Sequence, residues 1–343
     1  MSGMDASLGE IKRRFPWGRM ASEVRRFLEE HEGPLCVGCS GGSDSLFLLY
    51  GLRAYFPSRE LYVLHFNHGI RAESESEEEL VKRHGERLGA DVVVGRRKAV
   101  GPHHEDDLRR KRYGFFEAIL QRLDGKMLVL GHQADDVVET VLMRLFCGSG
   151  LSGLSAPRSV NVFPTHVRLR PLLNMTKREI EEILKAVGIE WAEDRTNADP
   201  QICFRNRIRQ RLVPFLDELL GNRNWRKGIL RSRALLEEEE VGAEWAVGEL
   251  GCGVSPRQSL PLEPLKGRPK SFCRRMLWRW MLAQNSRALK LRASAIDDLV
   301  ERVFTGREGT LPMGPDGRWV VKGNVLSFEG GTLAHDKSCD QRS

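Results

Sequence analysis

Between residues 35 and 130, four short apolar runs, "LCVGC", "LYVLHF", "DVVV" and "KMLVLG", alternate with segments whose apolar residues recur at helical spacing. Those segments are Leu46 to Ala54, Glu75 to Leu88, and Leu108 to Leu123, the last with Tyr113, Phe116, Ile119 and Leu120 on one face. Strands alternating with helices predict an α/β fold with a mainly parallel, doubly wound sheet. The near-continuous apolar character of the strands fits burial on both faces. Further helices are expected around Val24 to Leu28, Ala134 to Phe146 and Lys177 to Val187, with Thr176 and Glu179 forming a capping box on the last. In "RNRIRQRLVPFLDELL" a kink or break is expected near Pro214. The Gly/Ser-rich "CGSGLSGLSAPRS" reads as either a lid or a connector.

A chain of 343 residues exceeds the usual single-domain size. The reading is an N-terminal tail over 1–19, a large domain over 20–220, a smaller one over 221–330 and a disordered tail over 331–343. The smaller domain is expected to be mostly helical and to end in a β-hairpin, "GRWVVKGNVLSF", turning near Lys322 to Asn324. No apolar run approaches bilayer length, and the first residues lack the apolar core of a secretory signal, so no membrane partner and a cytoplasmic address are expected. Seven cysteines scattered along the chain do not suggest a disulfide framework. Cys36 and Cys39, three apart on a strand, should point to opposite faces and read as small buried side chains.

The net charge of +7 suggests a polyanionic partner, and its distribution says more. From Leu265 to Arg292 there are nine Lys or Arg and no acid, and a second basic stretch runs from Arg205 to Arg233. Phosphate contacts from Arg274, Arg275 and Arg279 would position RNA without reading its sequence. Trp278 and Trp280, interleaved there, read as core more than as stacking surface.

The loop after the first strand, "SGGSDS", carries the sharpest chemistry. Gly41 and Gly42 allow backbone conformations in which successive amides converge on an anion, and Ser40, Ser43 and Ser45 add hydroxyls. A helix N-terminus at the switch point of a parallel sheet favours the same charge, so phosphate is the expected guest. No lysine follows the glycines, so this is not a Walker A loop. Asp44 would repel phosphate unless a cation such as Mg²⁺ lay between them, which makes Asp44 and Asp136 the candidate metal ligands. In "GHQADDVVET", His132 falls at the ligand edge of the sheet, and Asp135 and Glu139 share one face of the ensuing helix, as do Asp136 and Thr140. Arg109 and Arg112 in "LRRKRY", and Arg205 and Arg209 in "FRNRIR", pair at helical spacing and suit phosphate.

The loop resembles the SGGxDS pyrophosphate-binding loop of the N-type ATP pyrophosphatases, a match expected by chance about once in a thousand chains of this length. With "FNHGIR", "LRRKRY", "GHQADDVVET", "GSGLSGL", "RPLLNMTKREI" and "WAEDRTN...FRNRIR", the stretch from Cys36 to Pro214 is similar to the tRNA(Ile)-lysidine synthases. Leu108, where a small residue is usual, and Cys147, where a basic one is, depart from that pattern. The resemblance implies an adenine nucleotide alpha hydrolase-like fold. It also implies ligation of L-lysine to the wobble cytidine of tRNA(Ile), in its anticodon loop, through an adenylated intermediate, with ATP and Mg²⁺. It assigns Ser40, Gly41, Gly42, Ser43, Asp44 and Ser45 to ATP, and Asp44, His132, Asp136 and Glu139 to catalysis. Asp135, Asp136 and Glu139 collectively would hold metal and the lysine ammonium, with His132 touching phosphate or the activated base. Arg109, Arg112, Arg205, Asn206 and Arg209 would bind substrate. Asp194 and Asn197 read as organising a turn. An ATP-dependent tRNA thiolase and a non-catalytic RNA-binding protein remain as alternatives, and association of two chains is left open.

Overall fold

The computed structural model describes residues 3–69, 74–97, 105–193, 204–221, 223–250, 259–284, 293–312 and 317–330. The chain divides into two compact units, Met1–Glu237 and Glu238–Ser343.

The first unit begins with α1 (Gly3–Arg14) and α2 (Ser22–Glu30), followed by β1 (Leu35–Gly38), α3 (Ser43–Tyr55), β2 (Leu61–Asn67), α4 (Ser74–Arg87) and β3 (Asp91–Arg96). It continues through α5 (Glu105–Arg122), β4 (Met127–Leu130), α6 (Ala134–Phe146), the short α7 (Leu151–Leu154), β5 (Val160–Val162), β6 (Val167–Leu169) and α8 (Lys177–Ala186). The strand order is β3-β2-β1-β4-β6-β5, parallel except for β5. Leu35 of β1 pairs with Leu61 of β2 on one side and Met127 of β4 on the other. The sheet therefore reverses its order of growth between β1 and β4, which sets the loops after these two strands side by side at its carboxyl edge.

The central strands are apolar because helices cover both faces. Val37 and Val129 pack with α3, where Phe47, Leu48, Leu49 and Leu52 are buried, while Cys36, Leu64 and Leu128 pack with Phe116 and Leu120 of α5. Cys36 and Cys39 do fall on opposite sides of the sheet. Both are buried, and burial pushes the Cys36 thiol up to about 12.

Two features differ from expectation. The presumed tail over 1–19 is ordered from Gly3, and α1 packs on α3 with Ile11 and Phe15 buried and the Phe15 ring 5.6 Å from Phe47. Hydrophobic burial there outweighs the freedom of a chain end. Strands β5 and β6 were not anticipated, since three residues apiece carry no readable period. The Thr176–Glu179 capping box forms as expected, with Glu179 N donating to Thr176 Oγ1 at 3.2 Å and Thr176 N to Glu179 Oε2 at 2.8 Å.

Beyond α8 the chain forms α9 (Phe204–Arg207), a π turn (Ile208–Leu212) and α10 (Val213–Leu220). Pro214 lacks an amide hydrogen and its ring crowds the carbonyl four residues earlier, and the widened turn just before it absorbs both without breaking the helix. Next comes α11 (Trp225–Leu250). The break at Gly221 lies where the linker was expected, but the two units part later, at Glu237/Glu238 within α11. The first half of α11 is anchored in the first unit: Glu237 accepts from Ser159 N at 2.9 Å, and Arg233 donates to the Pro157 carbonyl at 3.0 Å.

The second unit holds β7 (Ser259–Pro261), α12 (Lys270–Gln284), α13 (Ala293–Thr305), β8 (Gly309–Pro312), β9 (Gly317–Lys322) and β10 (Val325–Gly330). Its antiparallel sheet has the order β7-β10-β9-β8, so the anticipated hairpin is extended by a strand on each side. Gly323 and Asn324 turn that hairpin with φ of 57° and 60°, the pair of positive angles a two-residue turn matching strand twist requires. Trp280 and Trp319 meet edge to face in the core with centroids 5.6 Å apart, and Trp278 packs against it.

Candidate active site

The loop leaving β1 is shaped by its own hydroxyls. Ser45 Oγ donates to the Gly42 carbonyl at 3.0 Å and accepts from Ser40 N at 3.2 Å. Gly41 sits at φ 90°, a conformation side chains disfavour, and its carbonyl accepts from Ala192 N at 2.9 Å. Helix α3 starts at Ser43 with Gly42 as N-cap and no side-chain cap, so its first amides face the loop's concavity, where an anion would complete them. Ser43 and Ser45 are buried, and the Ser45 hydroxyl shapes the loop rather than waiting for a ligand.

The loop after β4 touches this one. A β-carbon on Gly131 would stand 2.9 Å from the Asp44 carbonyl oxygen and 3.1 Å from Ser45 N, contacts a backbone cannot yield to cheaply. Glycine there lets the two loops meet.

Asp44 has a buried Oδ1 with no hydrogen-bond partner. Burial raises its pKa to about 7, the carboxylates of Asp136, Glu181 and Asp135 adding to the rise and Lys177 opposing it. A buried, unpaired carboxylate oxygen among other acids fits a divalent cation. No cluster of three or more protein ligands exists among the described residues. The residues therefore suit Mg²⁺ held by one or two carboxylates together with substrate phosphates, rather than by a protein cage. Lys177, the first residue of α8, was assigned no role from sequence, because nothing in the chain order places it near Asp44.

The acids of α6 are already engaged. Glu139 is buried and accepts from Arg205 Nε at 2.6 Å, from Arg209 Nε at 2.5 Å and from Arg209 Nη2 at 3.0 Å. Asp136 accepts from Arg205 Nη2 at 2.7 Å and from Gln133 N at 3.1 Å. Asp135 accepts from Lys177 N at 2.9 Å and stands 3.7 Å from Arg226. Asp136 and Glu139, three apart, thus form the face presented to the arginines, and Asp135 points to α8. With three guanidinium donors on its two oxygens, Glu139 anchors Arg205 and Arg209, while Asp136, with two donors, and Asp135, with one, keep lone pairs for a cation. Asn206, between the two arginines, is buried.

On the other side of the site, His132 Nδ1 is buried without a partner. Burial and the charges of Arg170, Arg205, Arg109 and Arg112 hold its pKa well below the usual imidazole value, so the ring is neutral at physiological pH. Arg109 and Arg112 lie 5.0 Å and 5.6 Å from the Tyr113 ring centroid, and Arg168 lies 4.2 Å from it. Arg170 is buried, its Nη1 donating to the Arg158 carbonyl at 2.8 Å and to Asn161 Oδ1 at 2.5 Å. Sequence reasoning passed over Arg168 and Arg170 because β6, which carries Arg168 and ends just before Arg170, was not legible.

In the second unit the three basic residues differ. Arg275 is enclosed by Glu244 at 2.7 Å and Glu240 at 2.8 Å, with little of its side chain exposed. Arg274, paired to Asp297 at 2.7 Å, and Arg279, 3.9 Å from Glu244, are far more exposed. Arg275 is thus bound up in unit structure, and only the other two offer an exposed guanidinium to a phosphate. Ile70 and Arg71 of "FNHGIR", Asp194, Asn197 and residues 331–343 lie outside the described residues.

A mainly parallel sheet with a Gly/Ser loop at its switch point, beside the acids of α6 and the arginines of the 204–209 segment that pair with them, defines a nucleotide-binding α/β protein of the pyrophosphate-loop kind. The family model described as a PP-loop domain matches residues 18–216, and the chain belongs to that family. It is 32% identical over 251 residues to a tRNA(Ile)-lysidine synthase from Exiguobacterium sibiricum, covering 73% of this chain and 58% of that protein. A tRNA(Ile)-lysidine synthase from Solibacter usitatus is 40% identical over 184 residues, 53% of this chain and 40% of its own length. The chain spans about half the length of the curated relatives it matches. Among solved structures, a U34-tRNA thiolase from Methanococcus maripaludis, with its [4Fe-4S] cluster, shares the fold at a TM-score of 0.52 and 17% identity, over 68% of this chain and 79% of that one. No helix among the described residues is long and apolar enough to cross a membrane.

Proposed function

We propose that this protein uses ATP to join L-lysine to C2 of the wobble cytidine of tRNA(Ile), releasing AMP and pyrophosphate. The observation that carries the reading is the Ser40–Ser45 loop set against the α6 acids and their arginines, in a chain whose curated relatives are named for that product. The cytidine C2 oxygen attacks the α-phosphorus of ATP, forming the O–P bond as pyrophosphate leaves. The lysine ε-amine, once deprotonated, then adds to C2, and the oxygen departs with AMP.

The chain's own groups divide the work. Loop amides at the start of α3 hold the triphosphate, and Lys177 supplies positive charge beside Asp44. Mg²⁺, when bound through Asp44 and Asp136, would offset charge on the departing pyrophosphate. Asp135 and Asp136 hold the lysine ammonium. That cation must lose a proton first, since at its ordinary pKa about one molecule in 2,500 is nucleophilic at neutral pH. Neutral His132, within a ring of arginines, donates or accepts a hydrogen bond at the activated base, while Arg109 and Arg112 form the anion-holding wall, with Arg168, paired to Glu117 at 2.6 Å, and buried Arg170 adding to its positive charge. Arg274 and Arg279 give the RNA phosphates further contacts.

A sulfur-transferring reading is disfavoured by the cysteines: Cys36 and Cys39 are buried on opposite sides of β1 and held as thiols. The test is incubation with unmodified tRNA(Ile), ATP and labelled lysine. Lysine in RNA with matching AMP is expected. ATP turnover without lysine transfer, or a requirement for a sulfur donor, would refute the assignment.

A further inference from the structure

The helix that carries Arg205 and Arg209 into the site presents a second pair outward. Arg207 and Arg211, also four apart, line a groove of about 510 Å³ with Phe146, Phe204, Ile208, Leu212 and Phe215. Phe146 is 60% exposed, Phe215 55% and Phe204 39%. Among the described residues neither Arg207 nor Arg211 has a carboxylate partner, whereas Arg205 and Arg209 are held by Asp136 and Glu139. The Arg207 guanidinium lies 5.5 Å from the Phe204 ring centroid.

We propose that this groove binds an unpaired nucleotide of the substrate RNA, its base stacked on the phenylalanines and its phosphates on Arg207 and Arg211. The inference rests on the reading of the substrate as RNA, and deepens it by adding a subsite. Three exposed rings beside two guanidinium groups with free donors complement a flat apolar base joined to an anion. A second copy of the chain fits worse, because a two-fold contact centred on this patch would bring the unneutralised arginines of both copies together. The groove also lies along the seam of the site. Phe146 is two helical turns beyond Glu139 on α6, about 10 Å along the axis, within reach of a nucleotide neighbouring one held at the α6 acids.

The test compares wild type, the pair Phe146→Ala with Phe215→Ala, and the pair Arg207→Gln with Arg211→Gln. Because these side chains are exposed, the variants should fold. The measurements are the Kd for unmodified tRNA across a salt series, AMP formation at saturating tRNA, and sedimentation of the protein alone. The phenylalanine pair should weaken tRNA binding on the order of tenfold with AMP formation unchanged. The arginine pair should reduce the salt slope by about 1.4, for two single-strand phosphates. Replacing the stacked loop nucleotide by an abasic one should abolish the difference between wild type and the phenylalanine pair. Affinities within twofold of wild type for both pairs, or altered self-association with unaltered RNA affinity, would overturn the subsite. Failure of the wider reading looks different: wild type itself would bind no tRNA, or would bind it and transfer no lysine.

Discussion

Asp44→Asn tests the electrostatics of the site without invoking turnover. The wild-type carboxyl goes from an ordinary 3.8 to about 7 on folding, because burial and neighbouring acids oppose its ionisation. The folded chain therefore binds more protons than the unfolded one between those values, and this group's contribution makes stability fall as pH rises through that window. The full penalty, reached above about pH 7, is roughly 4 kcal/mol, and at about pH 5.5 it is about 2 kcal/mol. Asparagine carries no charge to bury. The variant should thus gain about 2 kcal/mol more over wild type at about pH 8 than at about pH 5.5, read from urea unfolding of the two proteins at each pH. Mg²⁺ with ATP should stabilise wild type more strongly at the higher pH and the variant little at either. An equal offset between the two proteins at both pH values would refute the claim that Asp44 is an unpaired buried acid.

Three further outcomes follow from the same geometry. Glu139→Gln leaves Arg205 and Arg209 without their shared counter-charge and should cost about 3 kcal/mol of stability with loss of activity, measured by denaturation and AMP formation. A variant as stable as wild type would show that the cluster is solvated. Gly131→Ala should push the loop off Asp44 and Ser45 and weaken ATP binding at least tenfold in a folded protein, checked by calorimetry. In the second unit, Arg275→Ala should lower the unfolding temperature, whereas Arg274→Gln with Arg279→Gln should leave it within a degree or two and reduce the salt slope of tRNA binding.

Much of the chemistry was legible in the chain order because it is local. The phosphate loop needs consecutive residues, and the Thr176–Glu179 box and the positive-φ turn at Gly323–Asn324 are each closed within a few positions. Strands β1, β2 and β4 were readable because burial leaves near-continuous apolar runs, and β3, half-buried at the sheet edge, because of its three consecutive valines. Short-range chemistry writes itself into short stretches of sequence.

Partnership between distant segments is different. Nothing in "ADDVVET" shows that Glu139 is saturated by Arg205 and Arg209, that Asp135 caps α8, or that Lys177 stands by Asp44. Nor does "RRM" tell that Arg275 is enclosed by two glutamates while Arg274 is exposed. The sequence by itself determined which groups the protein possesses and the local backbone that carries them. The tertiary structure decided which charges are neutralised and which are left for a ligand, because pairing depends on through-space distance and on burial, and both arise only when the sheet brings separate loops to one edge.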